Sequence, residues 1–136
     1  MSVKARQQEI IDNMSFFEDW TDKYSYIISL AKSLPEFPEA KKTEKNLVKG
    51  CQSQVWFDAV YQQGKLHFIG ISDASIVSGL IGMLLHVYND AEPSDILQSD
   101  TGFMDEIGLG KNLSPTRNNG LHSMVNFIYN TAKQYA

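Results

Sequence analysis

Apolar residues recur along this chain with two different periods, and the switch between them divides it into parts. Ile10, Ile11 and Met14 fall on one side of a helix predicted over about Arg6 to Met14. Trp20, Tyr24, Ile27, Ile28, Ala31 and Leu34 repeat at helical spacing, with Asp19 as the expected N-cap and Asp22 where the positive helix end favours a carboxylate. Pro35 and Pro38 are expected to end this second helix, since neither has an amide proton to donate. From Glu36 to Gly50 the periodicity is lost, and Lys41, Lys42, Glu44, Lys45 and Lys49 make a polar, basic-leaning loop. Strand patterns follow over Val55 to Tyr61 and Leu66 to Ser72. The link Gln62-Gln63-Gly64-Lys65 between them reads as the turn of a β-hairpin.

Helical spacing returns with Ile76, Val77, Leu80, Ile81, Leu84 and Tyr88, behind Asp73 as the expected N-cap. Gly79 and Gly82 weaken this third helix slightly and are expected to permit close packing. Short helices are predicted near Pro93 and Phe103. Ser114-Pro115 reads as a cap followed by a first-turn proline, opening a last helix that buries Leu121, Met124, Val125, Ile128 and Ala132. Two helices, a hairpin, then several helices predict an α+β fold, with helices packed on one face of a small antiparallel sheet. With no repeat, low-complexity tract or long linker, residues 1–136 are expected to form a single domain.

Composition narrows the partners. Hydrophobic residues make up 43% and charged residues 21%, as in ordinary soluble domains, and the net charge is −4. Nucleic acid is therefore not expected as a partner, because phosphate binding needs a basic face. No run approaches the roughly 20 apolar residues of a membrane span. The polar stretch Met1–Glu9 has no apolar signal-like region, so no membrane contact and a cytoplasmic location are expected.

A single cysteine limits the chemistry further. One chain cannot form an internal disulfide, a dithiol pair, a cysteine-ligated cluster or a cysteine-built zinc site, and no metal is expected. Cys51 lies between Gly50 and Gln52, at the entry to the first strand. Gly50 permits a sharp turn and leaves room beside the sulfur. Gln52, Ser53 and Gln54 are neutral hydrogen-bonding groups able to steady a thiolate or persulfide. Against this, a lone cysteine is most often a small buried core residue, and spacing alone favours that reading slightly.

The string Gly50-Cys51-Gln52-Ser53-Gln54-Val55-Trp56 resembles the signature of the SufE family of sulfur acceptors. Three further blocks resemble the family in the same order: Tyr24 to Pro38, Ser72 to Leu80, and Leu113 to Leu121. The Cys-Gln-Ser-Gln form is more similar to SufE itself than to the related CsdE branch. The resemblance implies a fold similar to that of IscU-type scaffolds. It also implies a carrier role in Fe–S cluster assembly, in which Cys51 takes the sulfane sulfur of a SufS-like cysteine desulfurase as a persulfide. The carrier would stimulate that enzyme and pass sulfur to a SufBCD-like scaffold. No bound cofactor is implied beyond the transient persulfide, since the pyridoxal phosphate belongs to the desulfurase. The chain would act as a transfer protein and activator rather than a stand-alone enzyme, and a homodimer is left open. The family further implies that the Cys51 turn is shielded in the free protein and swings out on the partner, with Gly50 as hinge.

Other residues carry weaker signals. Arg117, in the first turn of the last helix, opposes the helix dipole. An electrostatic role near Cys51 and a salt bridge to Asp73 or another acid weigh evenly for it. Asp73 reads first as an N-cap and second as a partner contact; Gly50, Gln52 and Gln54 join it as supporting residues. Trp56 and Phe57 should point to opposite faces of the strand, with core packing favoured for both. His67, His86 and His122 show no metal-ligand spacing, and His67 is the one histidine weighed as a base for Cys51. Three rival functions follow: a cysteine hydrolase using a histidine base, an Fe–S scaffold short of ligands, and a binding module that activates a desulfurase by shape alone.

Overall fold

A computed structural model describes residues 1–51 and 53–136. The first helix, α1, spans Val3–Ser15 and begins ahead of the expected Arg6, because Ser2 caps it: its Oγ accepts from the Ala5 amide at 3.1 Å. Val3 and Gln7 lie on the buried face with Ile10 and Met14. The polar Gln7 masks that periodicity in the sequence; buried, it donates through Nε2 to the Asp100 carbonyl at 2.8 Å. Helix α2, Trp20–Ser29, starts as expected at Asp19, whose Oδ1 accepts from the Asp22 amide at 2.9 Å. It then tightens into a 3₁₀ turn over Leu30–Ser33 before Pro35, a common way for a helix to end.

Strands β1 (Val55–Gln62) and β2 (Lys65–Ser72) form an antiparallel hairpin with Val55 opposite Ser72 and Gln62 opposite Lys65. Gln63 (φ 54°) and Gly64 (φ 79°) both take the left-handed conformation that a two-residue hairpin turn requires. Alternation puts Val55, Phe57, Leu66, Phe68 and Gly70 on the covered face. Phe57 is in the core as expected. Trp56 is not: it faces the other way, half-buried, with the Lys42 ammonium 5.8 Å from its ring. The reason is strand geometry, which allows only one of two neighbours on the helix-covered side.

Helix α3, Ser75–Tyr88, packs across β2 and against α2. Asp73 is not its N-cap. The cap position is Ala74, with no side-chain cap bond, and Asp73 lies one residue outside it and exposed. Serines do the local work instead: Ser72 Oγ accepts from the Ala74 amide, and Ser78 Oγ donates to the Ser72 carbonyl. Gly79 and Gly82 do bring α3 close to its neighbour. A Cβ at either would lie 2.7 Å from a carbonyl carbon, of Ile27 and of Leu30 respectively.

Three short helices follow: α4 (Pro93–Gln98), α5 (Gly102–Glu106) and α6 (Leu109–Asn112). The last, α7, spans Pro115–Tyr135 and is capped by Ser114, whose Oγ accepts from the Arg117 amide at 3.2 Å. Phe127 fastens α7 to the hairpin, its ring 5.6 Å from Phe57 and 6.3 Å from Phe68, centre to centre. Aromatic pairs of this kind contribute roughly 0.5–1.5 kcal/mol each beyond their burial. The architecture is α+β, with α3 and α7 on one face of a two-stranded sheet. That placement brings the start of α7 over the segment leading into β1.

Candidate functional site

Cys51 sits near the tip of a loop closed at its base by a backbone hydrogen bond. The Val48 amide donates to the Val55 carbonyl at 2.8 Å, and Leu47 bridges to Trp56 across the same base. Two hydrogen-bonding residues so close to the strand make a short, well-anchored loop out of what the sequence presents as a featureless polar run. Gly50 turns the chain just before the cysteine with φ 89°, a conformation that would strain any residue with a Cβ.

The thiol is half-buried against α7 and α3. It borders a recess of about 40 Å³. A water needs about 10–15 Å³ by the same measure, so there is room for roughly three water-sized groups. Val77, Leu80, Leu121 and Met124 give the recess an apolar interior, while Ser53, Thr116 and Arg117 form its polar rim. Gly120 of α7 lies against the sulfur: a Cβ placed there would lie 3.1 Å from Sγ. The loop also meets α7 one turn later, where a Cβ on Gly50 would lie 2.9 Å from Ser123 Oγ.

Burial pushes the Cys51 thiol above its ordinary pKa. The neutral thiol is thus favoured in this seat, and near pH 7 the thiolate fraction falls below the roughly 3% of a free cysteine. Such a sulfur is protected rather than activated. Reaction as a thiolate requires it either to leave the apolar interior or to gain a counter-charge from whatever docks there.

The residues singled out by sequence are distributed unevenly around this seat. Gly50 and Arg117 are at the site, Gly50 in the turn and Arg117 on the rim. Arg117 is exposed and, among the described residues, forms no ion pair; the alternative of a bridge to Asp73 is not realised. Among the described residues, Asp73 is hydrogen-bonded to the loop through its backbone, its amide 3.4 Å from the Gln54 carbonyl. Gln54 is exposed and lines no part of the recess, and Gln52 lies outside the described residues.

No described histidine or carboxylate lines the recess. His67 is at the far end of the hairpin, opposite Val60 and beside Asp90 at 2.5 Å. Five residues of strand separate Val60 from Val55, about 16 Å at the usual rise. His86 faces Glu9 at 3.6 Å, and His122 is exposed on α7. Among the described residues there is also no group of three or more His, Cys, Asp or Glu side chains able to hold a metal.

Gly120, Ser123 and the apolar residues of α3 and α7 are the part of the site that sequence reasoning missed. Leu80, Leu121 and Met124 read simply as core. Gly120 stands inside the block Leu113–Leu121, where an interior glycine in a helix was the available signal.

Comparison with known proteins bears on the family and the fold. The family model described as "SufE: Fe-S metabolism associated domain" matches residues 8–132. An uncharacterized SufE-like protein of Rhizobium etli is 43% identical over 135 residues, covering 95% of this chain and 90% of that protein. A second, from Rhizobium meliloti, is 41% identical over 132 residues, covering 92% and 93%. The solution structure of a hypothetical protein from Thermus thermophilus superposes with a TM-score of 0.79 at 18% identity, covering 96% of this chain and 95% of that one. That last likeness concerns the fold alone.

Proposed function

This chain belongs to the SufE family, associated with Fe–S metabolism, and on that premise we propose that Cys51 accepts and carries sulfur as a persulfide. The observation that carries the proposal is the seat of Cys51: a lone thiol near the tip of a short anchored loop, lodged in an apolar recess with no described base beside it. A hydrolase would need a general base within hydrogen-bond reach of the sulfur. A carrier needs none, because its partner supplies the activated sulfur.

In the transfer, the Cys51 thiolate attacks the outer sulfur of a persulfide held on the cysteine of a pyridoxal-phosphate-dependent desulfurase. The bond between that sulfur and the desulfurase cysteine breaks as the new one forms. The desulfurase thiolate leaves and takes up the proton lost from Cys51, while Cys51 becomes Cys51–S–SH. One thiol and one persulfide are exchanged with no net oxidation. A SufBCD-like scaffold is the proposed recipient of the second transfer, in the cytoplasm, where thiols stay reduced. In this reading Arg117, which lines the rim, attracts the thiolate once it has left the interior. Removal of persulfide from the desulfurase would also account for stimulation of that enzyme.

The test is intact-mass spectrometry without reductant, after incubation with a cognate desulfurase, pyridoxal phosphate and cysteine. The expected result is a gain of one sulfur mapping to Cys51, absent from Cys51→Ser, with faster alanine release only for the wild type. Full stimulation by Cys51→Ser would instead establish a binding module that activates by shape. Absence of any sulfur gain would refute the carrier role.

A further inference from the structure

We infer that Gly120 is a positioning residue that sets how deeply the Cys51 sulfur sits, so that the side chain missing from α7 is the space the sulfur occupies. This rests on the carrier reading for its purpose, but its geometry is independent of it. Gly120 lies inside α7, where glycine destabilises a helix relative to alanine. A buried helix glycine of this kind calls for a close-packing reason. Here the reason is specific: the three nearest atoms to a Cβ at this position are Sγ, Cβ and Cα of Cys51, at 3.1, 3.7 and 3.8 Å. All three belong to the one residue whose depth is in question.

The contact is also built to separate. The described residues of the turn from Lys49 to Cys51 make no hydrogen bond to α7; the loop's backbone bonds run to β1 and to Asp73. Among the described contacts on the helix are the sulfur against Gly120 and Gly50 against Ser123. Contacts of that sort have modest strength per atom pair and no directional penalty on opening. A methyl group at 120 would force the sulfur to give by a few tenths of an ångström. On this inference the displaced sulfur moves outward past Ser53 and Arg117, and not deeper into the recess lined by Val77, Leu80, Leu121 and Met124. The sulfur would then exchange apolar surroundings for water and a cation, both of which favour its ionised form.

The experiment is the rate of Cys51 alkylation by iodoacetamide in the free protein, from pH 7 to 10, for wild type, Gly120→Ala and Gly120→Val, with helix content followed by circular dichroism. The expected outcome is a folded Gly120→Ala with roughly three- to tenfold faster alkylation at pH 7.5 and a pH midpoint moved down toward the ordinary value of about 8.5. Gly120→Val should move further in the same direction. An unchanged or slower rate in folded Gly120→Ala overturns the inference. So does loss of folding in that variant, which would mean that the contact cannot yield. A merely destabilised protein would not shift the midpoint without losing helix signal. Sulfur uptake from a desulfurase is scored separately: a wild type that gains none refutes the carrier reading and leaves the positioning result standing.

Discussion

Two regions of this molecule bring glycines against another part of the chain, and their surroundings are opposite. Gly79 and Gly82 of α3 meet the backbone carbonyls of Ile27 and Leu30, deep between α2 and α3. Gly120 of α7 meets a side chain, the sulfur of Cys51, and Gly50 meets another, the hydroxyl of Ser123. Backbone inside a packed layer cannot retreat, because any shift drags hydrogen-bonded turns with it. The end of a side chain on a surface loop can. The same residue type therefore serves rigidity in one place and reversible seating in the other.

The largest effect should come from the rigid contact. Gly79→Ala or Gly82→Ala forces a methyl into a carbonyl group that cannot move, and overpacking of this kind costs about 3 kcal/mol or more where no relaxation is available. Urea denaturation is expected to show a midpoint lowered accordingly, or no cooperative transition, although alanine is the better helix former. A loss below about 1 kcal/mol would mean that α2 and α3 slide apart easily, and the contrast with Gly120 would disappear.

How much of this was legible beforehand follows the same division. The α3 glycines stood out because they interrupt a strong apolar stripe, Ile76 to Tyr88, and the only use for glycine within a stripe is close approach. The hairpin, the Asp19 cap and the Ser114-Pro115 start of α7 were legible because their signals are local. Cys51 was legible through its neighbours in the string. Its seat was not: Gly120 and Met124 are far from it in sequence, and the packing of α7 on α3 and the hairpin brings them together. Asp73 misled for a related reason. The residue type suits a cap, but the exit of β2 delays the helix to Ser75 and leaves the carboxylate one position too early.

The yielding contact has a second half, which is expected to show an intermediate effect. Gly50→Ala meets two costs, the left-handed backbone at φ 89° and the approach of its Cβ to Ser123 Oγ at 2.9 Å. The backbone cost is about 1–2 kcal/mol and nothing on α7 can relieve it. The second cost can be relieved by Ser123→Ala. A double-mutant cycle read by thermal or urea unfolding should therefore give a coupling of roughly 0.5–1 kcal/mol, with the double variant less damaged than the sum of the singles. Strict additivity would show that the loop does not rest on Ser123, and would weaken the picture of a turn seated on α7 at two points.

The smallest effect belongs to the outer side of the loop region, where Lys41 Nζ and Asp58 Oδ2 pair at 2.8 Å and tie the basic-leaning segment to β1. Burial by itself would raise the Asp58 pKa, but the Lys41 hydrogen bond, the Ala59 amide and the charges of Lys41 and Lys45 outweigh it and hold it below the usual carboxylate value. A lowered folded pKa means that the unfolded chain binds more protons in the acid range. The stabilisation is therefore fully present above the unfolded value of about 3.9 and is lost as pH falls through the lower folded value. Both side chains are partly exposed, so solvent screening limits the pair to about 0.2–1 kcal/mol. Lys41→Ala is expected to cost that much at pH 7 and progressively less as pH falls below the unfolded value and Asp58 itself becomes protonated. Because the pair sits on the face of the sheet away from α7, the variant should leave Cys51 alkylation unchanged. If Lys41→Ala exposed the thiol as Gly120→Ala is expected to, the loop would be held from its outer side, and its seating on α7 would be a consequence of that hold and not its cause.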